Sequence, residues 1–204
     1  MKPCSIKLLI CTAAILSACF LARAARAADQ GPGRMVYELN GDIYTSNADG
    51  SDELPLTHDD GDSHGPKWSP DGRQVLFIRN TSLQSVTDAD GIMREIGQPT
   101  DFYLVNRDGG NLHRLRHFEG VVSDPSWSPD GKLIGFYYQS KEEWLHQGLP
   151  TFVAGFYVMP SEGDESPHLV SADARHVDWS PDGKKLVFTV ARPGNHIEIG
   201  RAHV

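Results

Sequence analysis

The residue types that could carry acid–base or metal chemistry lie just before three recurring tryptophans. The residues four and three positions before each tryptophan form three pairs: His64 and Gly65, Ser123 and Asp124, and Arg175 and His176. Histidine and aspartate serve as general bases and as metal ligands, so His64, Asp124 and His176 could form a cluster. None of these three residues belongs to a paired-ligand spacing such as His-x-Glu or His-x-x-x-His. We therefore interpret these positions as binding residues on loops, and we predict no metal, no cofactor and no catalytic residue.

Two further segments could bind a ligand. Trp144 and His146 lie in a long insertion and could stack on a sugar or a peptide. Residues 59–62 read Asp-Asp-Gly-Asp and resemble part of a calcium loop, but the downstream glutamate is missing and the segment is typical of a turn. The chain has no phosphate-binding loop or dinucleotide fingerprint. Gly-x-Ser-x-Gly occurs once, at 61–65, but it leads into the Trp68 repeat and not into a helix, so it does not match a nucleophile elbow. These motifs favour binding over catalysis.

A repeated five-residue motif identifies the strands and turns that position these residues. Trp-Ser-Pro-Asp-Gly occurs three times, with its tryptophans 59 and 52 residues apart, so the chain is a repeat array. We assign a structural role to four residues of each copy: Trp68, Pro70, Asp71, Gly72, Trp127, Pro129, Asp130, Gly131, Trp179, Pro181, Asp182 and Gly183. A β-rich run follows each copy, and another strand with a turn precedes it.

The chemistry of one repeat predicts antiparallel strands. Proline presets φ in the Pro-Asp-Gly turn, aspartate bonds backbone amides, and glycine accepts a positive φ. Each unit then becomes a meander of four short strands, whose aromatic residues pack between neighbouring sheets. A single such sheet cannot bury its own faces, whereas several sheets stacked around an axis can. We predict an all-β fold, a β-propeller of four-stranded blades that is incomplete in this chain, with three blades and the start of a fourth.

The repeat also resembles a known family. The Asp-Ile-Tyr strand at 42–44 with its Asn-Ala-Asp-Gly-Ser turn, the Leu56-Thr57 ending and the Trp-Ser-Pro-Asp-Gly word are similar to the TolB-like, WD40-like (PD40) propeller repeat. The resemblance covers roughly residues 36–198. It implies that the tryptophan strand is the innermost of each blade. Such repeats are found in the Tol–Pal system, in prolyl-oligopeptidase-type peptidases and in polysaccharide lyases, so the resemblance implies a fold and leaves the activity open.

Loop lengths indicate which end of the blades binds. The Asp-Gly turns should lie at one end, and the loops before each tryptophan strand at the other. Both long insertions, 80–99 and 139–150, also belong to that second end. Function concentrates on elaborated loops of a rigid scaffold. We therefore expect a binding surface there, with the pairs before each tryptophan at the mouth of the central channel.

The N-terminus is typical of an exported protein. Lys2 and Lys7 precede an apolar stretch, 8–22, that is short for a bilayer span, and Ala25-Arg26-Ala27 offers a signal-peptidase site. We predict a signal peptide over 1–27 and a periplasmic or secreted mature chain without a transmembrane domain. The alternative is a lipoprotein signal ending at 18, because Leu16-Ser17-Ala18-Cys19 resembles a lipobox and would make Cys19 the lipidated residue.

Composition limits the partners. Without the four basic residues of the predicted signal, 15 Lys and Arg face 27 Asp and Glu, a net charge of −12. A chain this acidic has no broad attraction to phosphate backbones, so we expect no nucleic-acid binding.

We assign 28–198 to the propeller blades. Residues 199–204, Ile-Gly-Arg-Ala-His-Val, match the translation of a common sequencing adapter, so we expect a non-native C-terminal segment there and the remaining blades downstream.

The function that best fits these observations is an exported, TolB-like propeller that binds a protein or another cell-envelope partner as a scaffold module. The first alternative is the N-terminal propeller of a truncated prolyl-oligopeptidase-type serine peptidase. The second is a carbohydrate-active propeller enzyme that uses the histidines at the channel mouth. All three share one fold, so architecture alone does not distinguish them.

Overall fold

The computed structural model describes residues 33–58, 62–82, 85–87, 91, 93–95, 99–139, 154–163, 165–192 and 196–204. Over these ranges the protein is all-β, and no helix could span a membrane. Of the described residues, 33–35 with Ser46–Asp52 belong to one compact unit, and Val36–Thr45 with Glu53–Val204 belong to a second. The site described below lies entirely in the second unit.

The strands form four consecutive antiparallel meanders. The first sheet holds β1 (Arg34–Leu39), β2 (Asp42–Asn47) and β3 (Leu54–Pro55). The second holds β4 (Ser63–Trp68), β5 (Gln74–Asn80), β8 (Thr100–Asn106) and β9 (His113–Phe118), with the separate hairpin β6 (Ser85–Thr87) and β7 (Met93–Glu95) inserted between β5 and β8. The third holds β10 (Val121–Trp127), β11 (Leu133–Gln139), β12 (Gly155–Pro160) and β13 (His168–Ser171). The fourth holds β14 (Ala174–Trp179), β15 (Lys185–Arg192) and β16 (His196–His203).

The predicted four-stranded unit is confirmed in the second and third sheets. In each, the tryptophan strand comes first and the remaining strands follow in chain order. The first sheet has three strands, because the described residues before β2 supply only β1 and no tryptophan strand. The fourth also has three, and its last strand, β16, includes residues 199–203 of the segment that we expected to be non-native. Their origin stays a prediction.

Aromatic side chains fill the space between the second and third sheets. Phe102, Phe118 and Phe136 are buried and meet edge to face, with ring centroids 5.1–5.2 Å apart. Aromatic pairs in this geometry contribute about 0.5–1.5 kcal/mol beyond the area that they bury. A second cluster joins the third and fourth sheets around Phe156 and Phe188. The stacking of large side chains between sheets follows the expectation from the repeat.

Two of the three repeated tryptophans bond their sheet to the one before it. The indole Nε1 of Trp127 donates to the Lys67 carbonyl oxygen at 3.4 Å, and that of Trp179 donates to the Ser126 hydroxyl at 3.1 Å. Both acceptors belong to the residue immediately before the preceding tryptophan. Trp68 has the same place in its sheet, yet its buried Nε1 has no hydrogen-bond partner in the described chain. The reason is that the first sheet has no described tryptophan strand to supply an acceptor.

The Ser-Pro-Asp-Gly turns share one hydrogen-bond pattern. The serine hydroxyl donates to the aspartate Oδ1 at 2.6–2.7 Å, and the same oxygen accepts the backbone N–H two residues after the aspartate at 3.1 Å. The serine oxygen in turn accepts the N–H five residues ahead, at 2.9–3.0 Å. The serine hydroxyl is the main cause that lowers the pKa of Asp71, Asp130 and Asp182 below the ordinary aspartate value.

We expect the indole hydrogen bond to separate two otherwise similar substitutions. Trp179→Phe removes ring volume and a satisfied donor, whereas Trp68→Phe removes ring volume and an unpaired buried donor. The first should therefore cost more stability, by about 0.5–1.5 kcal/mol. Urea denaturation of both variants measures the difference, and equal losses would contradict the role of the bond.

The depressed aspartate pKa values predict acid sensitivity. A carboxyl with a lower pKa in the folded than in the unfolded state stabilises the fold above the unfolded pKa, and this contribution is lost as the pH falls through the folded pKa. The free energy of unfolding should therefore decrease as the pH falls below about 4. Ser69→Ala removes the main cause of the Asp71 shift, so it should lower stability at pH 7 and reduce the acid slope.

The matched control is Ser166→Ala, at an exposed serine outside these turns. It should leave both the stability at pH 7 and the acid slope unchanged. Equal slopes for the wild type and Ser69→Ala would show that the serine hydroxyl does not hold the Asp71 carboxylate.

Candidate functional site

Each tryptophan strand is interrupted by a bulge at the predicted site positions. In β4 the register passes from His64 opposite Ile78 to Lys67 opposite Leu76, so two residues face one. The same shift occurs between Ser123 and Ser126 in β10, and between Arg175 and Asp178 in β14. The single residue opposite each bulge is a buried phenylalanine: Phe77, Phe136 and Phe188. A bulge re-aims the local side chains, and bulges are common beside binding sites.

One residue of each bulge has left-handed backbone geometry. It is the residue three positions before the tryptophan, with φ of 62° at Gly65, 51° at Asp124 and 46° at His176. Glycine adopts this conformation freely, whereas a residue with a Cβ atom is strained in it, aspartate less than most. All three bulges therefore have the same left-handed residue position, but glycine, which suits it best, occupies that position only in the second sheet. Strain of this kind concentrates at functional sites.

The two strained side chains line the same cleft. A space of about 630 Å³ is bordered by residues of β10, β11, β12 and β14: Asp124, Tyr137, Gln139, Phe156, Ala174, His176 and Val177. Asp124 and His176 are exposed. The Ser123 hydroxyl donates to Asp124 Oδ2 at 3.2 Å, and His176 Nδ1 lies 3.2 Å from the Thr189 hydroxyl oxygen. Each polar group is thus oriented by a neighbour and still faces the cleft.

Two consecutive hydrogen bonds connect β14, β10 and β11, which are three of the strands that border the cleft. Trp179 donates to the Ser126 hydroxyl, and that hydroxyl donates to the Gly135 carbonyl at 3.4 Å. A Cβ atom on Gly135 would lie 2.6 Å from the Phe156 ring, so glycine is what lets this ring lie against β11. The same tryptophan that joins the third and fourth sheets therefore fixes the walls of the cleft.

The structure brings together only part of the predicted set. Asp124 and His176 share the cleft, with Ser123 bonded to Asp124. His64 is half-buried in register with Ile78 in the second sheet, away from the cleft lining. Arg175 pairs in register with Thr189, and its side chain lies outside what is described. Cys19, Trp144 and His146 also lie outside the described residues.

Sequence reasoning did not single out the wall residues. Tyr137 is opposite Ser123 across the β10–β11 pair, and Phe156 is opposite Tyr137 across β11–β12. Strand register was the signal that could have found them. The insertion over 80–99 also holds the small hairpin β6–β7, which the motif search did not predict.

A buried ion-paired group in the second sheet was also missed. Asp101 is 4% exposed; its Oδ1 lies 2.6 Å from His117 Nδ1 and its Oδ2 lies 3.6 Å from Arg114. His117 Nε2 lies 3.3 Å from Glu119. The first sheet has a neutral counterpart, in which Thr57 donates to Asp42 at 2.7 Å. These pairs connect the third and fourth strands of a repeat, so their first role is structural.

No metal centre is formed by the side chains that the structure describes. No three His, Cys, Asp or Glu residues among them group closely enough to hold an ion. The arrangement in the cleft combines one carboxylate, one imidazole, one phenol and one amide with apolar walls. Such a lining suits reversible binding of a small group or side chain.

Comparison with known proteins extends this picture. No family model matches the chain. An uncharacterized peptidase, YuxL, of Bacillus subtilis is 29% identical over 184 residues, which cover 75% of this chain and 25% of that protein. The Tol-Pal system protein TolB of Alcanivorax borkumensis is 30% identical over 103 residues, covering 50% of this chain and 22% of that protein. The chain therefore spans a quarter or less of the length of these two relatives.

Solved structures decide the architecture. TolB from Acinetobacter baumannii superposes with a TM-score of 0.58 at 20% identity, covering 84% of this chain and 39% of that one. The fold is a β-propeller. The same propeller architecture links the chain to a puromycin-hydrolyzing peptidase of Mycobacterium tuberculosis, with a TM-score of 0.57, 15% identity and coverage of 84% and 29%. An oligogalacturonate lyase in complex with manganese gives a TM-score of 0.55 at 16% identity, with coverage of 81% and 42%.

The bulge geometry of the propeller blades predicts opposite effects of reciprocal substitutions. Gly65→Ala places a side chain in the left-handed region, and its Cβ would only reach ordinary contact with Ile78 at 3.7 Å. The backbone alone should therefore cost about 1–2 kcal/mol. His176→Gly relieves the same strain but makes the unfolded chain more flexible, so stability should stay unchanged or rise by up to about 1 kcal/mol.

Urea denaturation followed by tryptophan fluorescence measures both effects. A loss of stability in His176→Gly as large as that in Gly65→Ala would mean that the histidine supports the blade. In that case the strained position would have a structural explanation.

Proposed function

We propose that the protein is an exported, TolB-like β-propeller that binds a protein partner in the periplasm as a scaffold module, without catalysis. The loop end of the blades presents the partner site, and the cleft between the third and fourth blades is its centre. A rigid all-β scaffold with elaborated loops at one end suits this role, because its binding residues are held in place before the partner arrives.

The single observation that carries the proposal is that Asp124 and His176 line the same cleft. Two non-glycine residues hold strained backbone angles at equivalent bulges, and both side chains line one cleft. Glycine serves at the equivalent position of the second blade, so the fold itself does not require these side chains. Recognition of a ligand would account for non-glycine residues at these two strained positions.

Export is supported by the N-terminal pattern. The basic start, the short apolar stretch and the Ala-x-Ala site together form a secretory signal. Lipidation at Cys19 is the alternative, and it would anchor the same propeller to the cell envelope. The TolB relatives add support for an envelope role, since one of them is named as a Tol-Pal system protein.

A serine peptidase is the second candidate for the whole protein. The peptidase relatives favour it, because YuxL and the dipeptidyl-peptidase 5 of Porphyromonas gingivalis align with this chain over only 25% and 17% of their own lengths. Under this reading the propeller is an accessory to a hydrolase domain. The structural similarity to an oligogalacturonate lyase supports a third candidate function, that of a carbohydrate-active enzyme.

Site-specific photo-crosslinking in the native host tests the binding proposal. The photoreactive residue p-benzoylphenylalanine replaces Gln139, which lines the cleft, and separately replaces Lys132, which directly precedes the opposite end of the same strand. The two positions are about 23 Å apart, at 3.3 Å per residue. We expect a defined protein adduct from position 139 and none from position 132.

Two outcomes would count against the proposal. Identical adducts from both positions would mean nonspecific contact, and no adduct from position 139 would mean that the cleft is not a partner site. The full-length gene product can also be treated with a fluorophosphonate probe, which labels activated serines. Labelling of the full-length protein would support the serine-peptidase hypothesis over a protein that only binds.

A further inference from the structure

We infer that the cleft recognises a basic side chain, lysine or arginine, on an extended segment of the partner. This inference rests on the proposed function and specifies its chemistry. The site residues are Asp124 as the anionic group, Tyr137 and Phe156 as aromatic walls, and Gln139 and His176 as further polar groups.

The charge of the lining points to a cation. Among the described residues that line the cleft, Asp124 is the only carboxylate, and none is a lysine or an arginine. Among the described side chains, no cationic group forms an ion pair with Asp124; its hydrogen bond comes from the neutral Ser123 hydroxyl. The mature chain also carries a net charge of −12, so its field attracts cations and repels anions.

The shape and polarity of the walls fit a long basic side chain. Lysine and arginine have an apolar stem and a charged end. The half-buried Val177 and Tyr137 offer apolar surface for the stem, while the Asp124 carboxylate can accept hydrogen bonds from the charged end. Aromatic rings add further attraction for a cation when it lies over the ring face.

The size of the cleft indicates a segment of a polypeptide as the ligand. A space of about 630 Å³ is within the usual range for ligand pockets and exceeds one side chain. The cleft lies between the third and fourth blades, at the end of β11 that Gln139 marks. A short segment with one basic anchor residue therefore fits better than a free amino acid.

Titration of the isotope-labelled chain with small peptides tests the inference. The probes are N-acetyl-Gly-Lys-Gly-amide and its norleucine analogue, which has a similar stem and no charge. We expect saturable changes in the amide resonances of Asp124 and His176 with the lysine peptide, and at least about tenfold weaker binding of the norleucine peptide.

Asp124→Asn is the decisive variant. Asparagine tolerates the left-handed region, so the bulge should fold, while the charge is lost. It should weaken binding of the lysine peptide about tenfold. Glu165→Gln is the matched control, an exposed acid in the turn before β13 at the opposite end of the blades, and it should bind like the wild type.

The outcomes separate this inference from the proposed function. Equal binding of both peptides, no effect of Asp124→Asn, or no resonance change with either probe would each overturn the basic-anchor inference. An adduct from position 139 together with any of those results would leave the partner site in place with a different chemistry. Loss of that adduct as well would overturn both.

Discussion

The contact on which the rest of the structure depends is the tryptophan that joins one blade to the preceding one. Its ring packs in the space between two sheets, and its indole N–H donates to the residue before the previous tryptophan. Because donor and acceptor belong to the same repeated strand, each blade fixes the position of the next. The aromatic clusters then fill a space whose width is already set.

The same arrangement holds the cleft at the end of the blades opposite the Ser-Pro-Asp-Gly turns. The Ser-Pro-Asp-Gly turns bond within themselves and close the opposite end of the sheets, so the strands emerge at fixed positions. The bulge is a few residues from the anchoring tryptophan, and Ser126 serves both the blade junction and the cleft. The blade junction and the cleft are therefore joined by short, direct contacts.

Much of the fold was predictable because the repeat can be recognised from its recurring sequence motif. The Trp-Ser-Pro-Asp-Gly word sets a strand, a turn and a second strand by local chemistry alone, and the structure confirms these elements in the three blades that contain it. The aromatic stacking between sheets follows from the same pattern. What local chemistry does not set is which sheet is left with three strands, since that depends on the chain before β2 and after β15.

The candidate site was only half predictable for a related reason. Asp124 and His176 could be found because they share a position relative to tryptophan. His64 shares nearly the same position but lies elsewhere, and Tyr137 and Phe156 reach the cleft only through strand register. The Asp101–His117 pair joins residues 16 apart in sequence across two strands, without a motif to mark it.

The bulge has a consequence for which side chains a blade can display. Its backbone angles are nearly the same whether the residue is glycine, aspartate or histidine, and a buried phenylalanine faces it each time. The main chain is therefore insensitive to the identity of the side chain that it displays. A different side chain can therefore be displayed at each of these positions while the strand pairing around the bulge stays the same.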